Sequence, residues 1–399
     1  MKNPTPDELL ALSKRARCIA SRLPPLSLSA EGGLTQESRD AVLRCAQRIL
    51  RQNRAVGGAL VFSLPSGKDE SFHFGYARLT PRMPVTQSTC MRIASVSKLV
   101  MTFGALSLEA DGLLDLDGDI STLLGYPVRS PHAPDVPITM RMLLTHTSGI
   151  TDDGPYGTRG MESGCTLREL LENPKSWLRH TPGTAFHYSN LGAGAAGVVL
   201  ELASGMPFDD MMKKRIFDPL SIRASYDPRR IVPSSDLADG YSVRGIFPPR
   251  LRYDAAALAA RPPEAFDPER DYLIAAGRMI TDTRGMAKLL RLLASKDGMG
   301  VLPAASLEAM RACQDGHGTV THAGRGLNTA FLPDVFDGFS PIGHQGVAYG
   351  MCAELFADPE KNAGVGVMTS GVRLVKQPPL MRAGFDLLAL GFAAIGKAC

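Results

Sequence analysis

With 399 residues, 44% of them hydrophobic and 21% charged, the chain has the make-up of a globular protein that can bury more than one core, or one core carrying a large insertion. Its net charge of +4 is small for this length, and no basic run is interleaved with aromatics, which excludes nucleic acid as a partner. The seven cysteines are scattered without any C-x-x-C spacing, a pattern of reduced thiols rather than of a disulfide scaffold.

The first 30 residues are charged and Pro-rich and lack the apolar core of a signal peptide, so a cytoplasmic location is expected. Asp7–Ser21 reads as a helix, and Asp40–Arg51 has helical periodicity. Gly57–Ser63 and Ser71–Ala77 are apolar or alternating runs around Pro65-Ser66-Gly67-Lys68, a hairpin signal. Ser95 opens a helix with Leu99, Phe103 and Leu106 on one stripe and Asp111-Gly112 as its stop. Thr139 caps a short helix, Met140–Leu144, and Asn190–Ala203 is a small-residue helix closed by Ser204-Gly205.

Residues 250–270 are Pro-rich and expected to be an irregular surface lobe, and Met286–Ser295 is helical again. Glu354–Ala357 and Gly364–Ser370 read as strands joined by a turn over 358–362, with a closing helix over Leu380–Ile395. The most apolar segment, Leu387–Gly396, is about half the length that spans a bilayer, so it is expected to pack on a sheet and no membrane partner is expected. Strands at both ends with helices between them predict a discontinuous sheet domain, residues 1–95 and 286–399. A mainly helical domain, residues 96–285, is inserted, with the active site between the two.

Three short signals carry chemistry. Ser95-Val96-Ser97-Lys98 is the chain's one Ser-x-x-Lys. Residues three apart share a helix face, so Lys98 stands beside a serine hydroxyl that needs a proton acceptor to become a nucleophile. The helix N-terminus adds partial positive charge and free N–H groups for an anion forming there. Tyr188-Ser189-Asn190 is the one Tyr-x-Asn, and His344-Gln345-Gly346 lies in a glycine-flanked edge leading into the sheet. His322-Ala323-Gly324 and Lys296-Asp297-Gly298 share the third form but not that setting.

Met91-Arg92-Ile93-Ala94-Ser95-Val96-Ser97-Lys98, the run Ile138–Gly149, and Phe186-His187-Tyr188-Ser189-Asn190, in that order, resemble the penicillin-recognising serine hydrolases. The nearest look is to the class C β-lactamase-like branch with its carboxylesterases and D-aminopeptidases, over roughly residues 50–375. The resemblance implies an α+β fold of the β-lactamase/transpeptidase type: an antiparallel sheet flanked by helices plus an inserted all-helical domain. It implies acyl transfer through a serine ester with no metal or cofactor. By the same resemblance Ser95 is the nucleophile, Lys98 its proton partner, Tyr188 a base that also protonates the leaving group, and Asn190 a ligand of the acyl side chain. The resemblance further implies an oxyanion hole formed by the backbone N–H groups of Ser95 and Val347, with His344, Gln345 and Gly346 beside the substrate. Whether Lys98 or Tyr188 is the primary base stays open, since two such groups can titrate as a unit.

One departure bears on substrate. Lactamases and carboxypeptidases of this superfamily usually carry lysine where this chain has His344, and Thr or Ser in place of Gln345. An ammonium there grips a substrate carboxylate, whereas an ordinary imidazole, with a reference pKa of about 6.5, is mostly neutral at pH 7. The expected substrate is therefore an ester or simple amide. The alternatives are a D-amino-acid amidase or DD-peptidase, a weak β-lactamase, an acyltransferase, and a catalytically silent scaffold homologue. Arg278, next to Gly277 where the resemblance leads to a second glycine, would supply the missing cation if it faced the cleft.

Other candidates are set aside. Ser148 and His146 are two apart and read as a turn; no Gly-x-Ser-x-Gly is present. Asp115, Asp117 and Asp119 mimic a calcium loop, but Ile120 and Tyr126 replace its glycine and closing glutamate. Cys313, His317 and His322 lie close together without a partner metal motif. His187 either tunes Tyr188 or packs, and Trp177 and Tyr349 are candidates to line the pocket, with core packing the default for each.

Overall fold

The computed structural model describes residues 5–156, 164–245, 247–262, 267–312, 325–377 and 380–399, so Cys313, His317 and His322 lie outside the described residues. Helices α1 (Pro6–Ala20) and α2 (Gln36–Gln52) precede strands β1 (Gly57–Ser63), β2 (Asp69–Leu79) and β3 (Arg82–Pro84). Helix α3 (Val96–Ala110), helix α4 (Asn190–Ser204) and helix α5 (Thr283–Ala294) follow. The chain returns to the sheet as β4 (Arg325–Gly326), β5 (Thr329–Phe331), β6 (Ile342–Ala348), β7 (Met351–Asp358) and β8 (Ala363–Ser370), and ends on α6 (Arg382–Ala398). Among the described residues the sheet has eight strands in the order β3-β2-β1-β8-β7-β6-β5-β4, and every neighbouring pair is antiparallel.

Successive side chains on a strand point to opposite faces, and both faces here are apolar. On β1, Leu60 and Phe62 join one core with Leu12 and Ile19 of α1, Val42 of α2, and Phe385 and Phe392 of α6. Ala59 and Val61 point the other way, into a core with Met286 and Leu290 of α5 and most of α3. The pattern repeats on β7, where Phe356 faces the first core and Leu355 the second. The first and last segments of the chain thus close the same sheet face, α1 packing on α6.

The structure refines several expectations. Helix α2 starts a turn earlier than its periodicity suggests, because the Thr35 hydroxyl accepts from Ser38 N–H and caps it there. Helix α3 is buried on every side from Val96 to Leu108, not along one stripe, because α4, β6 and the helix Ile274–Gly277 surround it. Arg250–Tyr253, expected as irregular, is a strand paired with Gly240–Ser242, and Asp254 caps a following turn of helix. No single helix among the described residues is long and apolar enough to cross a membrane.

Phe356 is fully buried in the middle of the sheet. Phe356→Ala is expected to lower the free energy of unfolding by about 3–5 kcal/mol, read from urea denaturation; a loss below 1 kcal/mol would contradict this packing.

Candidate active site

The site begins with a strained turn. Ala94 has φ of +47°, a conformation that costs an alanine on the order of 1 kcal/mol, directly before Ser95. Ser97 holds this turn, its hydroxyl donating to Ala94 O and accepting from Met279 N–H. Ser95 is the N-cap residue of α3, yet its hydroxyl makes no capping bond. The oxygen is left for side chains converging from elsewhere.

Lys98, one turn on, is completely buried, and a buried ammonium is tolerable only where its N–H groups find acceptors. Its Nζ lies 3.2 Å from Ser95 Oγ and 2.9 Å from Asn190 Oδ1, and it also donates to the Ala276 carbonyl oxygen. The last contact depends on α4. Gly197 comes so close to the 272–277 segment that an added Cβ would stand 2.5 Å from Ala275 Cβ, and only glycine lets the two helices approach. Two of the three neighbours of Nζ can only accept, so the third position on nitrogen faces Ser95 whichever protonation state holds.

Tyr188 reaches the same oxygen from a residue 93 positions away, its hydroxyl donating to Ser95 Oγ at 2.8 Å. His146 sits against it, with ring centroids 4.5 Å apart. The His146 Nδ1 accepts from Ser189 N–H at 3.3 Å, which places the ring proton on Nε2. Burial, reinforced by Lys98, pushes the His146 pKa well below its usual value, so the ring is neutral. Asn190 is held from both ends: Oδ1 accepts from Lys98, while Nδ2 donates to Asp152 Oδ2 at 2.8 Å.

Strand β6 supplies the opposite wall. An added Cβ at Gly346 would lie 2.2 Å from Ile93 O and 2.9 Å from Ser95 N, so this position must be glycine for the strand to pass the Ser95 turn. Val347 is the next residue along the same strand. His344 is buried, its Nδ1 lies 2.6 Å from the Gln345 carbonyl oxygen, and its ring centroid is 6.3 Å from that of Tyr188. Nδ1 therefore carries the proton and Nε2 is an acceptor. Burial first and Lys98 second hold its pKa well below 6.5, so it contributes no charge.

Gln345 corrects one expectation. Its side chain points to the other face of the sheet and donates to Glu354 Oε1, the cross-strand residue opposite it, so only its backbone can border the cleft. Burial raises the Glu354 pKa well above the ordinary carboxyl value.

Arg278 is exposed and lines a cavity bounded by Phe208, Tyr226 and Asp271 and by none of Ser95, Lys98 or Tyr188. Ser148 accepts from Ile150 N–H in a tight turn. Asp117 and Asp119 pair with Arg141 and Arg129. The His187 ring hydrogen-bonds Thr151 at 3.1 Å. Trp177 is buried and donates to Leu171 O, whereas Tyr349 is partly exposed, its ring 5.5 Å from the Arg92 guanidinium.

Two residues of the site were not singled out from sequence. Asp152 lies in the loop after the Thr145–Gly149 turn, where an aspartate looks like any other loop acid. Arg325, on edge strand β4, is buried with its guanidinium 4.2 Å from the Phe186 ring centroid. Burial brings its pKa down to about 10, against an opposing pull from the Tyr188 phenol, so it remains a cation.

The family described as Beta-lactamase matches residues 46–384. An esterase named EstB from Burkholderia gladioli is 28% identical over 80% of this chain and 84% of its own. Lovastatin esterase from Penicillium rubens is 32% identical over 43% of this chain; the chain spans about half of that relative's length, 48%. Among solved structures, the D-amino acid amidase of Ochrobactrum anthropi SV3 superimposes with a TM-score of 0.66 at 24% identity, over 89% of this chain and 98% of that one. The eight-stranded antiparallel sheet with its helical cover is thus a β-lactamase/transpeptidase-like fold.

Two outcomes are expected of this geometry. Gly346→Ala forces β6 away from the Ser95 turn and lowers ester turnover at least tenfold, the scale of a displaced oxyanion donor, while the protein stays folded by circular dichroism; wild-type turnover would contradict the close approach. His344 is neutral when folded and takes up a proton only when unfolded, so its stabilising share is full above pH about 6.5 and is lost as pH falls. Between pH 6 and 5, wild type should lose about 1 kcal/mol more unfolding free energy than His344→Asn; parallel stability curves would show that the ring titrates normally.

Proposed function

The chain belongs to the beta-lactamase family, and from that premise we propose that it is a serine hydrolase that cleaves an ester or simple amide through an acyl-enzyme on Ser95. The observation that carries this reading is the sharing of one oxygen, Ser95 Oγ, by Lys98 Nζ at 3.2 Å and the Tyr188 hydroxyl at 2.8 Å, at the N-terminus of a buried helix. Ser95 Oγ bonds to the acyl carbon as its proton passes to the Lys98–Tyr188 pair. The bond to the leaving group then breaks, and the pair returns the proton to the departing oxygen or nitrogen. Water repeats the sequence on the ester and frees Ser95. Positive charge at the helix N-terminus, with the N–H groups of Ser95 and Val347, favours the oxyanion.

His344 argues for the uncharged ester. A buried neutral ring cannot replace a lysine as the grip on a substrate carboxylate. Two matched relatives, both named as esterases, point the same way. Arg325 favours a second reading, an amide substrate bearing a carboxylate, because it keeps a cation beside Phe186 and within electrostatic reach of Tyr188. Asn190, with its oxygen committed to Lys98, retains one Nδ2 hydrogen for the acyl side chain. Free thiols at Cys18, Cys45, Cys90, Cys352 and Cys399 are in keeping with a reducing, cytoplasmic setting.

A fluorophosphonate should add once by intact mass to wild type and not to Ser95→Ala; labelling of both proteins would exclude Ser95 as the nucleophile. Tyr188→Phe and Lys98→Ala should each lower turnover of a short-chain nitrophenyl ester at least about a hundredfold, and near wild-type activity removes that residue from the mechanism. Catalytic efficiency on that ester should exceed that on a cephalosporin, and equal values would favour the carboxylate-bearing substrate.

A further inference from the structure

We propose that Asp152 is a positioning residue for the Ser95 centre, acting on Lys98 through the Asn190 carboxamide. The inference rests on the reading of Ser95, Lys98 and Tyr188 as the acylation machinery.

The Asp152 carboxylate receives four hydrogen bonds from three consecutive residues. Oδ1 accepts from Ser189 Oγ at 2.9 Å and from Leu191 N–H at 3.0 Å. Oδ2 accepts from Asn190 N–H at 2.9 Å and from Asn190 Nδ2 at 2.8 Å. An ionised carboxylate offers about four lone-pair sites, so its capacity is filled. The partners of Lys98 Nζ are Ser95, Asn190 and Ala276, and those of Asp152 are Ser189, Asn190 and Leu191, so the influence of Asp152 on the amine passes through the Asn190 amide they share.

A carboxamide is nearly symmetric in shape, and its orientation is set by what its two ends meet. The Asp152 carboxylate can only accept, so it forces Nδ2 towards itself and Oδ1 towards Lys98, at 2.9 Å. With the amide reversed, an NH₂ group would face the Lys98 nitrogen, and one of its three neighbours would be lost. Asn190 therefore stands between cation and carboxylate as a fixed dipole, and the third group of a nucleophile–base–orienter arrangement is an aspartate 38 residues upstream.

The fold holds Asp152 in place from behind. Thr151 N–H donates to Ser176 O at 2.9 Å, and Ile150 forms an isolated β-bridge with Trp177. Capping of α4 does not depend on Asp152 alone, because the Ser189 hydroxyl already accepts from Gly192 N–H at 2.9 Å. A carboxylate at this point is therefore more than a helix cap.

The test is a double-variant cycle on turnover of a short-chain nitrophenyl ester. Asp152→Asn puts an NH₂ group where an acceptor stood and permits the reversed amide. We expect kcat to fall at least tenfold with KM within threefold, and the melting temperature to move by only a few degrees. Asn190→Ala should show a loss of its own, and Asp152→Asn combined with Asn190→Ala should be no slower than Asn190→Ala alone, because the path to Lys98 is already cut. Additive losses, or wild-type kcat in Asp152→Asn, would overturn the proposal. If Asp152→Asn does not fold, the cycle is run with Asp152→Ser, read in the same way. Ser95→Ala is measured alongside: an inactive Ser95→Ala with a wild-type Asp152→Asn ends this inference alone, whereas an active Ser95→Ala ends the underlying reading and this inference with it.

Discussion

A lysine side chain with no exposed surface is the constraint around which this molecule is arranged. Removing an ammonium or amine from water is costly unless its polar hydrogens are satisfied. Lys98 meets that demand with acceptors from three separate parts of the chain: Ser95 on its own helix, Asn190 at the start of α4, and the Ala276 carbonyl. Each acceptor must be delivered to within hydrogen-bond distance of a single nitrogen. The packing of α3, α4 and the 272–277 segment is therefore bound to the chemistry of the site, and a shift in any of them leaves a buried polar group unpaired.

The small residues of α4 are how that delivery is achieved. Gly194 and Gly197 leave no Cβ between α4 and the segment carrying Tyr272 and Ala275, and this close contact sets the Ala276 carbonyl against Lys98. At the other end of the same helix, Ser189 and Asn190 stand at its N-terminus, where Asp152 collects the first free N–H groups. One helix thus contributes a side-chain acceptor at its start and, through the packing of its middle turns, a backbone acceptor from a neighbour. Tyr188, two residues before that helix, arrives at Ser95 by the same placement.

The sheet acts through one strand. Strand β6 shows alternate side chains to its two faces, so His344 looks towards Tyr188 while Gln345 is tied to Glu354 beneath α6. Gly346 then brings the backbone against the turn at Ser95. The wall of the cleft opposite the helices is therefore mostly main chain and a neutral ring. Its electrostatics come from outside the strand, from Lys98 and from Arg325 on the sheet edge.

The sequence by itself determined whatever depends on near neighbours. Ser95 and Lys98 are three apart on a helix, Ser189 and Asn190 precede a small-residue run that can only be a tightly packed helix, and the alternating runs at both ends of the chain form strands. Strand alternation even held the clue to Gln345, since two adjacent residues cannot both face the cleft. Tertiary structure alone decided the rest. The Ala276 carbonyl has no side-chain signature, Asp152 and Arg325 look like ordinary surface charges until the fold buries or surrounds them, and the second strand at Arg250–Tyr253 is hidden among prolines. These features join residues separated by tens to hundreds of positions, or involve backbone atoms that every residue possesses, so no local pattern can encode them.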